Sequence, residues 1–377
     1  MHIEVSNKSQ CSGCSACFSV CPKQCIQMKG DDEGFLYPSV DHSKCVDCGK
    51  CIKACPIISP PATHTNVVGY AAKAKEESVR LSSSSGGIFY LLASKVIEKG
   101  GFVFGAALDE DCSVKHICAE SKEELIRLQR SKYVQSEIGE AFKAAKKLLN
   151  DGQPVLFSGT PCQIAGFKTY LGREYDNLIL QDIACFGAPS PMVWSKYINY
   201  VSDKETSNLI DVNFRDKTTG WKDYSIQMNF GNSLFCLENH NNNLYMLDFL
   251  YKYSLRPSCY DCKFKGIQRS ADITLADFWG IDKMMPEMFD DTGVSLVMIQ
   301  SPNGKALFEE ITESIDYQEA DLKQAAKYNT AIVESVKLPV ERKTFFKKLK
   351  KSDYSAAHTA AKKRHLVDAI KRRIIKR

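Results

Sequence analysis

The chain has 377 residues, 44% hydrophobic and 25% charged, with a formal net charge of +5. That length supports two or three domains with a sizeable core, and the absence of a run of about 18 apolar residues argues against a membrane-spanning helix. Residues 341–377 carry fourteen Lys/Arg against three Asp/Glu, a net of +11, which leaves −6 for residues 1–340; a mildly acidic body with a basic tail is not the distribution of a nucleic-acid-binding core. The start, "MHIEVSNKSQC", lacks the apolar stretch of a signal peptide. Sixteen cysteines without an export signal lead us to expect a cytoplasmic protein that uses its thiols for metal ligation rather than disulfides.

The first element is a repeat. "CSGCSACFSVCPKQCI" (11–26) and "CVDCGKCIKACPII" (45–58) are the same unit, 34 residues apart. Each has three cysteines at three-residue steps and a fourth before proline. This is the spacing of a two-cluster bacterial ferredoxin, in which the fourth cysteine of each run ligates the other cluster. One [4Fe-4S] cluster is expected on Cys11, Cys14, Cys17 and Cys55, and a second on Cys45, Cys48, Cys51 and Cys21. Zinc is the rival, but zinc sites are built from pairs of Cys-x-x-Cys rather than such triplets. Cys25 is surplus and reads as a small buried hydrophobe.

"SPPATHTN" (59–66) is a linker. Strands and helices then alternate. Strands are predicted over 67–74, 102–108, 154–159, 177–184, 271–280 and 293–300. Helices are predicted over 86–99, 138–150, 163–171 and 191–202, with a strand meander over 209–236. The alternation predicts an α/β domain with a largely parallel sheet. Residues 65–150 form its N-terminal part and 151–335 its C-terminal part, behind an α+β ferredoxin-like domain over 1–60. Residues 340–377 read as a basic helical tail. Leu366, Ile370 and Ile374 make a stripe there at four-residue steps, which suits a solvated charged face or peripheral contact with an anionic membrane.

Four further cysteines have suggestive contexts. Cys162 and Cys185 each follow an apolar strand and precede a helix, and ligands gather outside the carboxyl ends of strands in open α/β sheets. Cys259 and Cys262, in "RPSCYDCKFKG", form a turn-like half-site. Local sequence leaves ligation and plain burial both open for Cys162 and Cys185. Cys112, Cys118 and Cys236 have no such context and read as structural.

"SSSGGIFYLLASKVIEKGG", "SKYVQSEIG", "LFSGTPCQIAG", "DIACFGAPSP" and "RPSCYDCKF…ADITLADFWG", in that order over about residues 65–300, resemble the coenzyme F420 hydrogenase/dehydrogenase beta-subunit family. That coenzyme is a deazaflavin hydride carrier. The resemblance implies a flavin (FAD) domain and a third [4Fe-4S] cluster on Cys162, Cys185, Cys259 and Cys262. It turns attention to Ser84, Ser85, Gly86 and Gly87 as a flavin pyrophosphate cradle, where an N-cap serine in a flexible turn is the plainer reading. It also points to Ser131, Lys132, Tyr133 and Thr160 as flavin contacts. The implied function is an iron-sulfur flavoprotein oxidoreductase. Electrons would pass between the ferredoxin clusters and FAD, with hydride exchange to the deazaflavin or to an organic small-molecule substrate. The alternative is a non-catalytic relay or docking subunit for a partner oxidoreductase. Cys185 is followed by Phe-Gly rather than the His-Gly common in the family, and no residue stands out as a catalytic acid or base.

Overall fold

The computed structural model describes residues 1–363. Both cysteine runs coil in the same way. Gly13 and Ser15 in the first, and Asp47 and Gly49 in the second, have positive φ (70°, 63°, 51° and 72°). A left-handed residue on either side of the second cysteine curls the backbone, so that successive thiols turn toward one point. Short helices follow, Ala16–Val20 and Lys50–Lys53. Between the runs lies an antiparallel hairpin, β1 (Ile26–Gly30) and β2 (Leu36–Val40).

The hairpin turn anchors this domain to the rest. The Asp31 carboxylate accepts from the N–H groups of Glu33 (3.0 Å) and Phe35 (2.9 Å) and holds the turn. Gly34 (φ +83°) lies so close to Met192 that a Cβ there would sit 2.3 Å from the Met192 Cβ. Ser190 Oγ donates to the Glu33 carbonyl. The Arg342 guanidinium makes a fork with Glu33, at 2.9 and 2.5 Å.

The main body is an eight-stranded sheet in the order β13-β3-β12-β11-β7-β6-β4-β5. Its strands are β3 (Val68–Ala74), β4 (Phe102–Leu108), β5 (Val114–Ala119), β6 (Val155–Gly159), β7 (Leu178–Ile183), β11 (Ile273–Asp277), β12 (Ser295–Ile299) and β13 (Ile315–Glu319). β8 (Leu209–Asp216), β9 (Ser225–Phe230) and β10 (Phe235–Asn239) form a separate antiparallel sheet, where the meander was expected. The expectation of a largely parallel main sheet is corrected: only β4-β6-β7-β11 run parallel. β5, β12, β3 and β13 pair antiparallel around them. Apolar runs such as "SLVMI" mark a doubly buried strand but carry no direction. The sheet joins strands from both sides of residue 150.

Helices cover both faces. Ile88, Leu92 and Val96 of helix Ile88–Glu98 pack with Leu156, Ile273 and Val297 on one side. On the other, Phe142, Phe167 and Tyr170 pack with Phe104 and Phe157. That second core also contains Cys14, Ala16 and Ala54, so the cysteine-rich domain shares the body's core.

The tail departs from expectation. Helix Arg342–Leu349 and residues 354–363 bury Phe345, Phe346, Leu349, Tyr354, Ala357 and Ala361 against the second sheet. Asp248, fully buried, accepts from Tyr354 OH and pairs with His358, both at 2.7 Å. Residues 342–363 are thus packed structure rather than a solvated face; their lysines lie outside while every third or fourth residue is apolar. The stripe Leu366, Ile370 and Ile374 lies outside the described residues. Among the described residues no helix is long and apolar enough to cross a membrane.

Candidate functional site

A cavity of about 680 Å³ opens at the carboxyl ends of the parallel strands, where such sheets collect ligands. Strand β6 ends in Ser158 and Gly159 and runs into helix Pro161–Leu171. The helix starts there because Pro161 takes its first position and the Gln163 side chain accepts from the Thr160 N–H at 3.0 Å. Cys162 therefore sits on the first helical turn, at the mouth of the sheet. Cys185 follows the end of β7. Cys259 and Cys262 come from the turn after Arg256, which is tied back to the Cys185 loop by an Arg256 N–H to Ala188 O bond of 2.9 Å.

All four of these cysteines line the cavity. Burial pushes their thiols up, to about 12 for Cys185 and Cys259 and further for Cys162, and their mutual like charge adds to the effect: Cys162 feels Cys262 and Cys185, and Cys259 feels Cys162 and Cys262. A buried group of crowded thiols is unfavourable as thiolate without a cation to compensate it, which is the chemistry of a metal-cluster donor set. The protein meets the sulfurs with donors: Ala188 N–H reaches Cys259 Sγ at 3.3 Å, and Thr160 Oγ1 lies 3.2 Å from Cys162 Sγ.

The N-terminal thiols form two groups. Cys14 and Cys17 each feel Cys11 and Cys55, and burial pushes Cys14 up to about 12. Cys21, Cys45, Cys48 and Cys51 line a second, smaller pocket. Cys55 thus lies with the first run and Cys21 with the second. Cys25 is buried, as expected, but its sulfur lies 3.4 Å from that of Cys21. Cys14 packs against Gly166 on the helix that starts with Cys162, and a Cβ on Gly166 would sit 2.8 Å from Cys14 Sγ. Cys162 also feels the Cys14 charge, so the first N-terminal group adjoins the cavity group. Gly166→Ala should displace Cys14 and alter the electron paramagnetic resonance signal of the adjacent N-terminal cluster with iron content unchanged; an identical spectrum would show that this contact is slack. Cys112 is buried, Cys118 and Cys236 are half-buried, and none of the three lines the cavity.

Of the residues suggested as flavin contacts, Ser84, Ser85, Gly87, Ser131, Lys132, Tyr133 and Thr160 line the same cavity. Gly86 does not. It lies against the sheet, where a Cβ would meet Ala72 O at 2.5 Å, and its N–H donates to Ser295 Oγ at 3.0 Å. Gly87 (φ +86°) is the N-cap of helix Ile88–Glu98 with no side-chain cap, so first-turn N–H groups remain for an anion. Lys132 directs its ammonium to the carbonyls of Arg127 and Gln129. Burial, with Arg130 and Arg127 nearby, holds its pKa down to about 7.

Four residues at or beside the cavity escaped the sequence reading: Arg256, Arg215, His116 and Tyr224. Isolated polar residues in segments without periodicity carry no local signal of burial. The buried His116 ring donates from Nε2 to Ser158 O (3.0 Å), and its Nδ1 has no partner. Burial lowers its pKa from 6.5 to about 4. A lowered histidine pKa means that the unfolded chain takes up a proton below pH 6.5 while the folded chain does so only near 4. Stability therefore falls as pH falls through that window, by roughly 3 kcal/mol. His116→Phe should flatten the decline of the thermal midpoint between pH 6.5 and 4 relative to wild type, and parallel curves would show that His116 titrates normally.

Residues 152–325 match the family described as the C terminus of the coenzyme F420 hydrogenase/dehydrogenase beta subunit, and residues 10–57 match the "4Fe-4S dicluster domain". The chain joins a 4Fe-4S dicluster domain to an F420 hydrogenase/dehydrogenase beta-subunit domain. The dicluster half is similar to NADH-quinone oxidoreductase subunit I of Pelobacter propionicus, 37% identical over 57 residues, 13% of this chain and 31% of that protein. The beta-subunit domain is similar to an uncharacterized protein of Methanocaldococcus jannaschii, 26% identical over 210 residues, 46% of this chain and 56% of that one. A chain of the F420-reducing [NiFe] hydrogenase complex from Methanosarcina barkeri aligns with 14% identity and a TM-score of 0.46, over 77% of this chain and 96% of that chain. The chain thus spans about a third to just over half of the length of these two curated relatives. It is an iron-sulfur protein of the oxidoreductase type, related to the beta subunit.

Proposed function

We propose that the chain is an iron-sulfur flavoprotein oxidoreductase whose dicluster domain feeds, or drains, a flavin in the 680 Å³ cavity through a third cluster. The observation that carries this reading is the convergence of Cys162, Cys185, Cys259 and Cys262 on one cavity wall, with Cys14 of the dicluster domain against the helix that bears Cys162. The cavity suits a cofactor: its volume lies within the range of about 300–1,000 Å³ usual for such sites, and its lining includes the open end of helix Ile88–Glu98.

Bound there, FAD would supply hydride exchange with a deazaflavin coenzyme or an organic substrate. The chain's own residues bind and orient it. Ser84, Ser85 and the first-turn N–H groups after Gly87 would face the pyrophosphate. Thr160 and Tyr133 lie nearer the thiols and the second sheet, on the side where the ring system would meet the third cluster. The Ala188 N–H and Thr160 hydroxyl stabilise ligand sulfurs, and hydrogen bonds to the sulfurs tune a cluster's potential. The electron partner at the dicluster end is a redox protein or coenzyme.

Anaerobic reconstitution followed by iron and flavin counts tests this. The expected result is one FAD and about twelve irons per chain, at four irons per cubane. About eight irons removes the third cluster. Twelve irons without flavin removes the enzyme reading and leaves a relay subunit that passes electrons to a partner oxidoreductase.

A further inference from the structure

Arg215, at the end of β8, reaches the cavity from the second sheet. It is 3% exposed. Its Nη1 donates to Asp277 Oδ2 at 3.0 Å and to Tyr133 OH at 3.3 Å. The guanidinium carbon lies 4.1 Å from the Tyr224 ring centre and 5.3 Å from that of Trp279. Asp277 is held in turn by Trp221 Nε1 at 3.2 Å, and Trp221 stacks on Trp279. One edge of the guanidinium is thus fixed by a carboxylate and a phenol. The other edge, Nε and Nη2, has no hydrogen-bond partner.

Two unpaired N–H groups on a buried cation are costly, and proteins rarely leave them so. The Nε–Nη2 edge is a planar fork that matches two oxygens of a carboxylate or phosphate. Asp277 offsets one charge, yet the cavity wall remains cationic, with Arg130, Lys132, Lys222 and Lys265 beyond the paired Lys263 and Asp261. Neither free nitrogen touches water, so a ligand reaches them by moving a neighbouring ring.

We propose that Arg215 is an oxyanion-binding residue of this cavity. Its Nε–Nη2 edge takes a carboxylate or phosphate of the molecule that occupies the cavity, and the Tyr224 and Trp279 rings pack against that molecule's planar part. The site deepens the function proposed above and rests on the cavity being the reaction chamber. Two sources could present the oxyanion: the flavin pyrophosphate or a second, reacting molecule.

The test uses anaerobic calorimetry on the full chain with its clusters reconstituted, with and without FAD, and with benzoate and inorganic phosphate as probes. The expected result is saturable binding of a probe that Arg215→Gln weakens at least tenfold. Arg215→Lys, which keeps the charge and loses the fork, should weaken it severalfold with the thermal midpoint near wild type. If FAD abolishes probe binding, and Arg215→Gln weakens FAD but not riboflavin, the oxyanion is the flavin pyrophosphate. If FAD-loaded protein still binds the probe, the oxyanion belongs to the second molecule. Absence of saturable probe binding to wild type, or equal affinities of wild type and both variants for the probes and FAD, overturns the proposal. Probe binding through Arg215 in a chain that takes up no flavin leaves this site standing and removes the flavin instead.

Discussion

Replacing Cys259 with serine is expected to remove about four of about twelve irons per chain and to break electron transfer between flavin and dicluster domain. The two N-terminal clusters should keep their signals. Cys259 faces the cavity with Cys162, Cys185 and Cys262, far in sequence from the eight N-terminal cysteines, and only Ala188 and the turn at Arg256 hold its loop. Serine is nearly isosteric, so the fold should survive, and its alkoxide is a poor substitute for thiolate. An iron count and low-temperature resonance spectrum of the variant decide the matter. Full iron content would mean that Cys259 and Cys262 are a structural pair with no cluster.

Replacing Arg256 with glutamine is expected to act on both ends of the relay. Arg256 is 1% exposed. Its guanidinium donates to Cys11 O (2.8 Å), Leu36 O (2.9 Å), Gln135 Oε1 (3.0 Å) and Cys11 Sγ (3.7 Å), and lies 4.3 Å from the Tyr37 ring centre. Gly13 is glycine partly because a Cβ there would sit 2.6 Å from Arg256 Nη1. One side chain therefore joins the first cysteine run to the loop of Cys259. Reduction adds negative charge to a cluster, and a buried cation beside a ligand sulfur favours the reduced state. Its loss should lower the midpoint potential of the cluster at Cys11 by roughly 59 mV for each tenfold change in the reduction equilibrium. Removing so well-bonded a buried cation should also cost roughly 3–5 kcal/mol of stability. Redox titration followed by resonance would show the downward shift in Arg256→Gln and a smaller one in Arg256→Lys. An unshifted potential in a folded Arg256→Gln variant would make Arg256 a purely structural tie.

Much of this was legible without coordinates. The strand Phe102–Leu108 lies where "FVFGAAL" predicts it, and helix Ala141–Asn150 stops at the expected Asp151-Gly152, because apolar runs and glycine breaks are local properties. The eight N-terminal cysteines are legible for the same reason: the ligand triplets lie within single turns of chain. The direction of β12 and β13 was not, since an apolar strand reads alike either way. The tail misled because its charge dominates its composition, while the apolar positions that bury Phe345, Phe346 and Tyr354 are spread at helical spacing among lysines.

For the cofactor site the division follows distance along the chain. Sequence by itself determined the dicluster motif, the alternating strands and helices, and the four later cysteines as candidates, since each depends on neighbours within a few residues. Only the tertiary structure decided that Cys162, Cys185 and the Cys259–Cys262 pair share one cavity, and that Cys14 packs against the helix beginning at Cys162. It alone decided that Arg256 and Arg215 are buried cations on either side of it. Those are contacts across tens to hundreds of residues, set by which strand ends the sheet order brings together, and no local spacing encodes that order.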